Sequence, residues 1–438
     1  MNEKLTMKQY TVISSMLFGL FFGAGNLIFP VLMGQMAGSA AVPAAIGFAI
    51  TGVGLPLAGI AAMALSESNG LFDMSQKAGK AFAYFFTVAL YLTIGPLFAI
   101  PRTATTSFQV GVAPFLSDDT VRLVLFIFSL IFFAVVLFFS LRPSGILTWV
   151  GKILNPIFLV LLAILVVTSL ISPMGSMADA APTADYLTRP FSKGFLEGYN
   201  TMDALASLAF GIILINVIHD LGVKSPTKTS FAAIKSGVFS MGLMALIYCA
   251  LTFIGAQSRT VIGISADGGL ALAAIARHYF GIAGSVFFGI MVTVACAKTS
   301  IGLVTAISTT FAELFPKYCT QKKCAVLFSV ISFIIANEGL SKIISVSIPV
   351  LMFLYPLTIV LIILCIVGRS FSYDRRVFTW TLAITIISAA IDLVASLGVP
   401  IASSISKSMP LADAGMGWVA PAILGLVIGL AHKAASSK

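Results

Sequence analysis

Long apolar runs, broken only briefly by charged residues, leave this chain few ways to fold. They lie near 10–33, 42–65, 82–110, 121–141, 147–171, 195–218, 231–256, 281–312, 324–336, 342–367, 377–397 and 414–432. Most reach the ~20 residues that a helix needs to cross bilayer hydrocarbon, and only 324–336 is visibly short. Hydrophobic residues make up 59% of the chain and charged residues 10%, with a mean hydropathy of +1.05. No soluble domain buries that much apolar surface. The expectation is an all-α integral membrane protein of about twelve transmembrane helices, forming one polytopic domain over 1–433. The first run is longer than a signal-peptide core and lacks a small-residue cleavage pattern, so it is expected to stay as the first helix.

The net charge of +10 follows topology and does not point to nucleic acid. With the N-terminus in the cytoplasm, most Lys and Arg gather in the inside loops, at Lys77–Lys80, Arg142–Lys152, Lys224–Lys235, Lys317–Lys323 and Arg369–Arg376. That bias sets both termini on the cytoplasmic side of a plasma membrane. The five cysteines form no CxxC pair. Cys319 and Cys324 fall in an inside loop, where thiols are expected to stay reduced. With three histidines as well, no metal or redox centre and no cofactor is expected.

Within the first run, Phe18–Pro30 carries Gly23, Gly25 and Asn26 at mid-depth and Pro30 soon after. These residues weaken a helix where lipid offers no substitute partner for its backbone. A break there is tolerated where the freed amides and carbonyls face a protein-lined cavity, which can hold an anion and a cation. The alternative is a glycine seam between packed helices. The sixth run opens Asn200-Thr201-Met202-Asp203 and continues through Phe210-Gly211. Polar and small residues again precede an apolar half-helix. Two interrupted segments five helices apart predict a five-plus-five inverted repeat: 10–171 for helices 1–5, 195–367 for helices 6–10, and helices 11 and 12 over 377–432 outside it. Ser172–Lys193, rich in Ala, Pro and Asp, reads as the surface loop between the halves. The third run is long enough to cross at a tilt.

Three motifs together carry a resemblance over nearly the whole chain: Phe22–Pro30, Gly95–Ala104 and Asp203–Gly211. They resemble the branched-chain amino acid:cation symporter family, the bacterial branched-chain amino acid transport system II carriers. More distantly, the layout is similar to the bacterial leucine transporter and the neurotransmitter:sodium symporters. The resemblance implies a substrate that is a zwitterion with an apolar side chain (leucine, isoleucine or valine), imported by symport with sodium.

On that reading, amides at Ala24, Gly25 and Asn26 meet the carboxylate at the positive end of a half-helix. Carbonyls near Phe21 and across Ala204–Ser207 meet the ammonium. Leu97, Phe98, Leu205, Leu208 and Phe210 wall the side chain. Burying four carbons contributes about 3 kcal/mol, so the pocket should favour the three branched-chain substrates over alanine and barely separate them. Motif alignment implies a sodium site from the carbonyls of Gly19, Phe22 and Cys296 and the hydroxyls of Thr299 and Ser300. Lys298 stands one residue away, about 100° round the helix. Ionisable groups are expensive at that depth. Arg102, in the external half of the third helix, and Asp203, just before the break expected in the sixth, are both deep and expected close enough to pair as part of an outer gate. Proton coupling through Lys298 and Asp203 is the alternative to sodium.

Other classes fit less well. A channel would show a filter or charged ring, and an enzyme a clustered acid, base or nucleophile. His219, His278 and His432 are scattered, and no phosphate-binding loop is present. Lipid is the expected surrounding, and no obligate protein partner is evident.

Overall fold

In the computed structural model, residues 5–141 and 155–436 are described. Arg142, Lys152 and the start of the fifth run, 147–154, lie outside the described residues. Helix α1 (Met7–Phe21) starts at a capping box, in which the Thr6 amide donates to Gln9 Oε1 at 2.8 Å and the Gln9 amide to Thr6 Oγ1 at 3.3 Å. The chain leaves helical geometry at Phe22 and Gly23 and resumes as α2 (Ala24–Ala37). Gly38 (φ +50°) turns it into α3 (Ala41–Ala49), which continues through a π turn into α4 (Leu55–Leu65). The short α5 (Leu71–Gln76) follows.

The third run is interrupted as well as long. Helix α6 (Lys80–Leu92) passes through a π turn at Thr93–Leu97, where Gly95 is non-helical, into α7 (Ala99–Gly111). Helices α8 (Asp118–Ser140) and α9 (Asn155–Ile171) complete the first part.

Two expectations change in the middle of the chain. Ser172–Lys193 is not wholly loop. It holds α10 (Ala184–Thr188) and the start of α11 (Pro190–Glu197), and α11 is the first half of the sixth helix. The sixth-helix break lies at Thr201–Met202, before Asp203, with Met202 left-handed at φ +63°. Asp203 therefore opens α12 (Asp203–Asp220), and the helix runs unbroken through Phe210-Gly211.

Helix α13 (Pro226–Ile262) precedes α14 (Gly268–Leu314), which bends at Gly281 (φ +64°). Helices α15 (Gln321–Ala336), α16 (Leu340–Val367), α17 (Arg375–Ser396), α18 (Pro400–Ser408) and α19 (Val419–Ser436) finish the bundle. Cys319 and Cys324 are joined as a disulfide, against the expectation of free thiols; a five-residue separation brings their Cα atoms to 6.2 Å. Among the described residues, nine helical stretches are long and apolar enough to cross a membrane.

Helices meet backbone to backbone at several glycines. A Cβ on Gly34 of α2 would stand 2.0 Å from the Thr252 carbonyl of α13, and one on Gly255 of α13 would stand 2.1 Å from the Val31 carbonyl of α2. Likewise a Cβ on Gly47 of α3 would stand 2.1 Å from the Phe191 carbonyl, and one on Gly194 of α11 would stand 2.0 Å from the Ala44 carbonyl. These reciprocal small-residue contacts bring α2 against α13 and α11 against α3.

Candidate functional site

The last intrahelical bond of α1 runs from the Phe22 amide to the Phe18 carbonyl, at 2.8 Å. The carbonyls of Gly19 to Phe22 lie beyond it, as at any helix C-terminus. Gly23 donates its amide to Asn26 Oδ1 at 2.8 Å, so the side chain of Asn26 caps the gap. Amides of the first turn of α2 point into the same gap, at the positive end of that helix.

Asn26 also reaches across to the second break. Its Nδ2 donates to Asp203 Oδ2 at 2.7 Å, and the hydroxyl of Tyr248 on α13 donates to the same oxygen at 2.6 Å. Asn26 Nδ2 and the Tyr248 hydroxyl also contact each other. Tyr248 is fixed in turn by edge-on packing against Phe48, with ring centroids 5.2 Å apart. All three polar groups are buried, so their satisfaction depends on one another.

A small cavity lies where the breaks meet. Leu20, Phe21, Gly23, Ala24, Gly25 and Asn26 line it from the first helix. Thr201, Met202, Asp203, Ala206 and Phe210 line it from the sixth. Ile94, Ala99, Arg102 and Thr103 face it from the third, and Thr299 and Leu303 from α14. Phe21 and Phe210 meet edge to face at 5.8 Å and supply an apolar wall. The cavity thus combines a helix N-terminus, a guanidinium, a carboxylate and an aromatic wall, a surface suited to a small zwitterion with an apolar side chain.

The structure brings together Phe21, Ala24, Gly25, Asn26, Arg102, Asp203, Phe210 and Thr299, and leaves other expected residues out. Leu97 and Phe98 lie off the lining because the π turn at Thr93–Leu97 presents Ile94 and Ala99 instead. Leu205 and Leu208 are fully buried in helix packing. Ala204 is buried and Ser207 donates to its carbonyl at 2.7 Å, against Gly59. With the break placed before Asp203, these positions lie inside a continuous helix.

At the expected ion site, Thr299 Oγ1 reaches the Phe22 carbonyl at 3.4 Å and the Ala295 carbonyl at 3.3 Å. Ser300 turns to α7, where its hydroxyl pairs with that of Thr103 at 2.5 Å. Cys296 is fully buried, and the carbonyl that Thr299 reaches on α14 is that of Ala295. Lys298 is half-buried and does not line the cavity.

Arg102 and Asp203 share the cavity without touching. Arg102 Nη1 donates to the Asn200 carbonyl at 2.7 Å, whereas Asp203 takes Asn26 and Tyr248. Sequence reasoning missed Tyr248, whose signal was a phenol in the middle of an apolar run that needs a partner when buried.

The chain matches the family described as "Branched-chain amino acid transport protein" over residues 6–436. A branched-chain amino acid permease, BrnQ, of Lactobacillus delbrueckii subsp. lactis is 47% identical, with 100% of this chain and 99% of that protein covered. The protein of that name from Bacillus subtilis is 41% identical, with 98% of each chain covered, and the one from Escherichia coli K12 is 35% identical over 98% and 97%. Among solved structures, the inward-facing conformation of Mhp1 superposes with a TM-score of 0.63 at 14% identity, covering 98% of this chain and 91% of that one. A manganese transporter of Eremococcus coleocola gives 0.58 at 12% identity, covering 97% and 96%. The helical transporter fold is therefore shared, and the chain belongs to the branched-chain amino acid transport protein family.

Proposed function

We propose that the chain is a secondary transporter that imports leucine, isoleucine and valine by sodium symport through alternating access. The observation that carries this reading is the cavity at the meeting of the two helix breaks, together with the names of its relatives. The substrate carboxylate faces the amides of Ala24, Gly25 and Asn26, the ammonium faces Asp203 and the carbonyls ending α1, and the side chain lies against Phe21 and Phe210. Sodium sits by Thr299 and the Phe22 carbonyl, where hard oxygen donors without a full carboxylate suit a monovalent cation that must later leave. Substrate and sodium favour each other's binding because both order the end of α1. Helices 1–5 and 6–10 act as inverted repeats in a bacterial plasma membrane with both termini inside.

Proton coupling is the second reading, favoured by one observation: Asp203 is a carboxylate on the cavity wall. Uptake of labelled leucine into proteoliposomes under separately imposed sodium and proton gradients tests both. Sodium-driven uptake is expected. Proton-driven uptake indifferent to sodium moves the coupling role to Asp203 or Lys298. No uptake under either gradient, in folded protein, overturns the substrate reading.

A further inference from the structure

We propose that Arg102, on the third helix, is the residue that grips the substrate's carboxylate and makes that group obligatory for binding. The proposal deepens the amino-acid reading above and rests on it. Arg102 is 3% exposed. Its Nη1 is taken by the Asn200 carbonyl, and its guanidinium carbon lies 5.0 Å from the centre of the Phe29 ring. Nε is buried with no hydrogen-bond partner, and Nη2 makes none among the described residues. Nε and Nη2 form one edge of the guanidinium, two parallel N–H groups in the geometry that matches a carboxylate.

Nothing else on the cavity wall neutralises this cation by contact. Among the described residues no carboxylate comes within 4.0 Å of it, because Asp203 is committed to Asn26 and Tyr248. The guanidinium also presses on the first turn of α2, where a Cβ on Gly25 would stand 2.8 Å from Nη2. A buried cation against the positive end of a helix is an unfavourable pairing until an anion joins it. A zwitterion's carboxylate set between the α2 amides and the Nε–Nη2 edge satisfies both at once. A side chain at Gly25 would push into the space of the fork and displace it.

The test uses the full-length protein in detergent and follows thermal stabilisation against concentration of two ligands. Leucine carries the carboxylate, and leucinamide replaces it with a neutral amide. Wild type is expected to need about 100-fold more leucinamide than leucine, the scale set by leaving a buried charge unpaired. In Arg102→Gln, leucine should weaken by about 100-fold and leucinamide by no more than about threefold, so that discrimination collapses. Arg102→Lys should recover part of the leucine response, because it keeps the charge and loses the fork.

Equal stabilisation of wild type by the two ligands, or wild-type discrimination in Arg102→Gln, overturns the proposal and leaves the amino-acid reading standing. Failure of wild type to respond to either ligand overturns the amino-acid reading, and the proposal with it. If Arg102→Gln does not melt cooperatively, Gly25→Ala decides: its methyl displaces the fork, and discrimination should fall about tenfold. Unchanged discrimination in that variant overturns the proposal.

Discussion

Asn26 and Asp203 are 177 residues apart in sequence and share a 2.7 Å hydrogen bond that joins the two helix breaks. The other end of the same amide accepts the Gly23 N–H at 2.8 Å. Asn26→Ala therefore strips partners from a buried amide and a buried carboxylate together. A loss of about 2–4 kcal/mol in stability is expected, with transport reduced at least as strongly. Tyr248→Phe removes one donor only and should cost less, about 1–3 kcal/mol. Thermal melts in detergent, run beside uptake assays, check both; an Asn26→Ala variant as stable as wild type would remove the bridge from the account.

Thr299 and Ser300 are adjacent but face different helices. Thr299→Ala is expected to abolish the sodium dependence of leucine uptake, whereas Thr299→Ser retains it. Ser300→Ala should leave sodium dependence intact and cost about 1 kcal/mol of stability through the lost Thr103 bond. The readout is uptake against sodium concentration. If Ser300→Ala alone lost the dependence, the ion would lie nearer α7 than the Thr299–Phe22 contact puts it.

The glycine contacts predict a graded series. Gly47→Ala and Gly194→Ala each push a methyl onto a carbonyl of the facing helix, and each should cost about 1–3 kcal/mol or more. Because they share one seam, the double variant should cost less than the sum. Gly242 sits in α13 with nothing within 4 Å of its added Cβ. Gly242→Ala should be neutral or raise stability by up to about 1 kcal/mol, from helix propensity. Denaturation of the set under one detergent condition tests the ordering.

Asp267 caps α14, accepting the amides of Gly269 and Leu270 at 2.9 and 3.0 Å. Burial raises its carboxyl above the ordinary value, partly offset by those amides and by Ser341. A raised carboxyl holds its proton to higher pH in the folded state than in the unfolded state. Its contribution is therefore present below the ordinary carboxylate value and lost as pH rises through the raised one. At neutral pH, Asp267→Asn keeps a capping oxygen without the charge and should match or exceed wild-type stability. Asp267→Ala should lose about 1 kcal/mol. Melts run from below the ordinary carboxylate value up to neutral pH check the sign.

The first break was legible because Gly23 and Asn26 are poor helix residues set at mid-depth in an apolar run. The sixth was placed too late because its turning residue, Met202, is left-handed without being Gly or Asn. Helix α11 was hidden for a related reason. Its sequence, Pro190–Glu197, is polar enough to read as loop, and only its seam with α3 marks it as part of the bundle. Leu97 and Phe98 were expected on the pocket from a regular helix, and the π turn at Thr93–Leu97 shifts the register past them. Ser300, expected at the ion by analogy with adjacent hydroxyls, pairs with Thr103, a partner far away in sequence that the local motif does not reveal. Tyr248 could not be found from periodicity, since its hydroxyl matters only once α13 lies beside both breaks.

A carrier wastes its driving gradient when its passage stands open at both ends. The knot of Asn26, Asp203 and Tyr248 bears on that loss, because it fastens α2, α12 and α13 at the level of the cavity. On the alternating-access reading proposed above, neither broken helix swings alone without stripping a buried carboxylate of its donors, so the two would turn together. On that reading, tightness against uncoupled leak depends on three side chains at the middle of the protein.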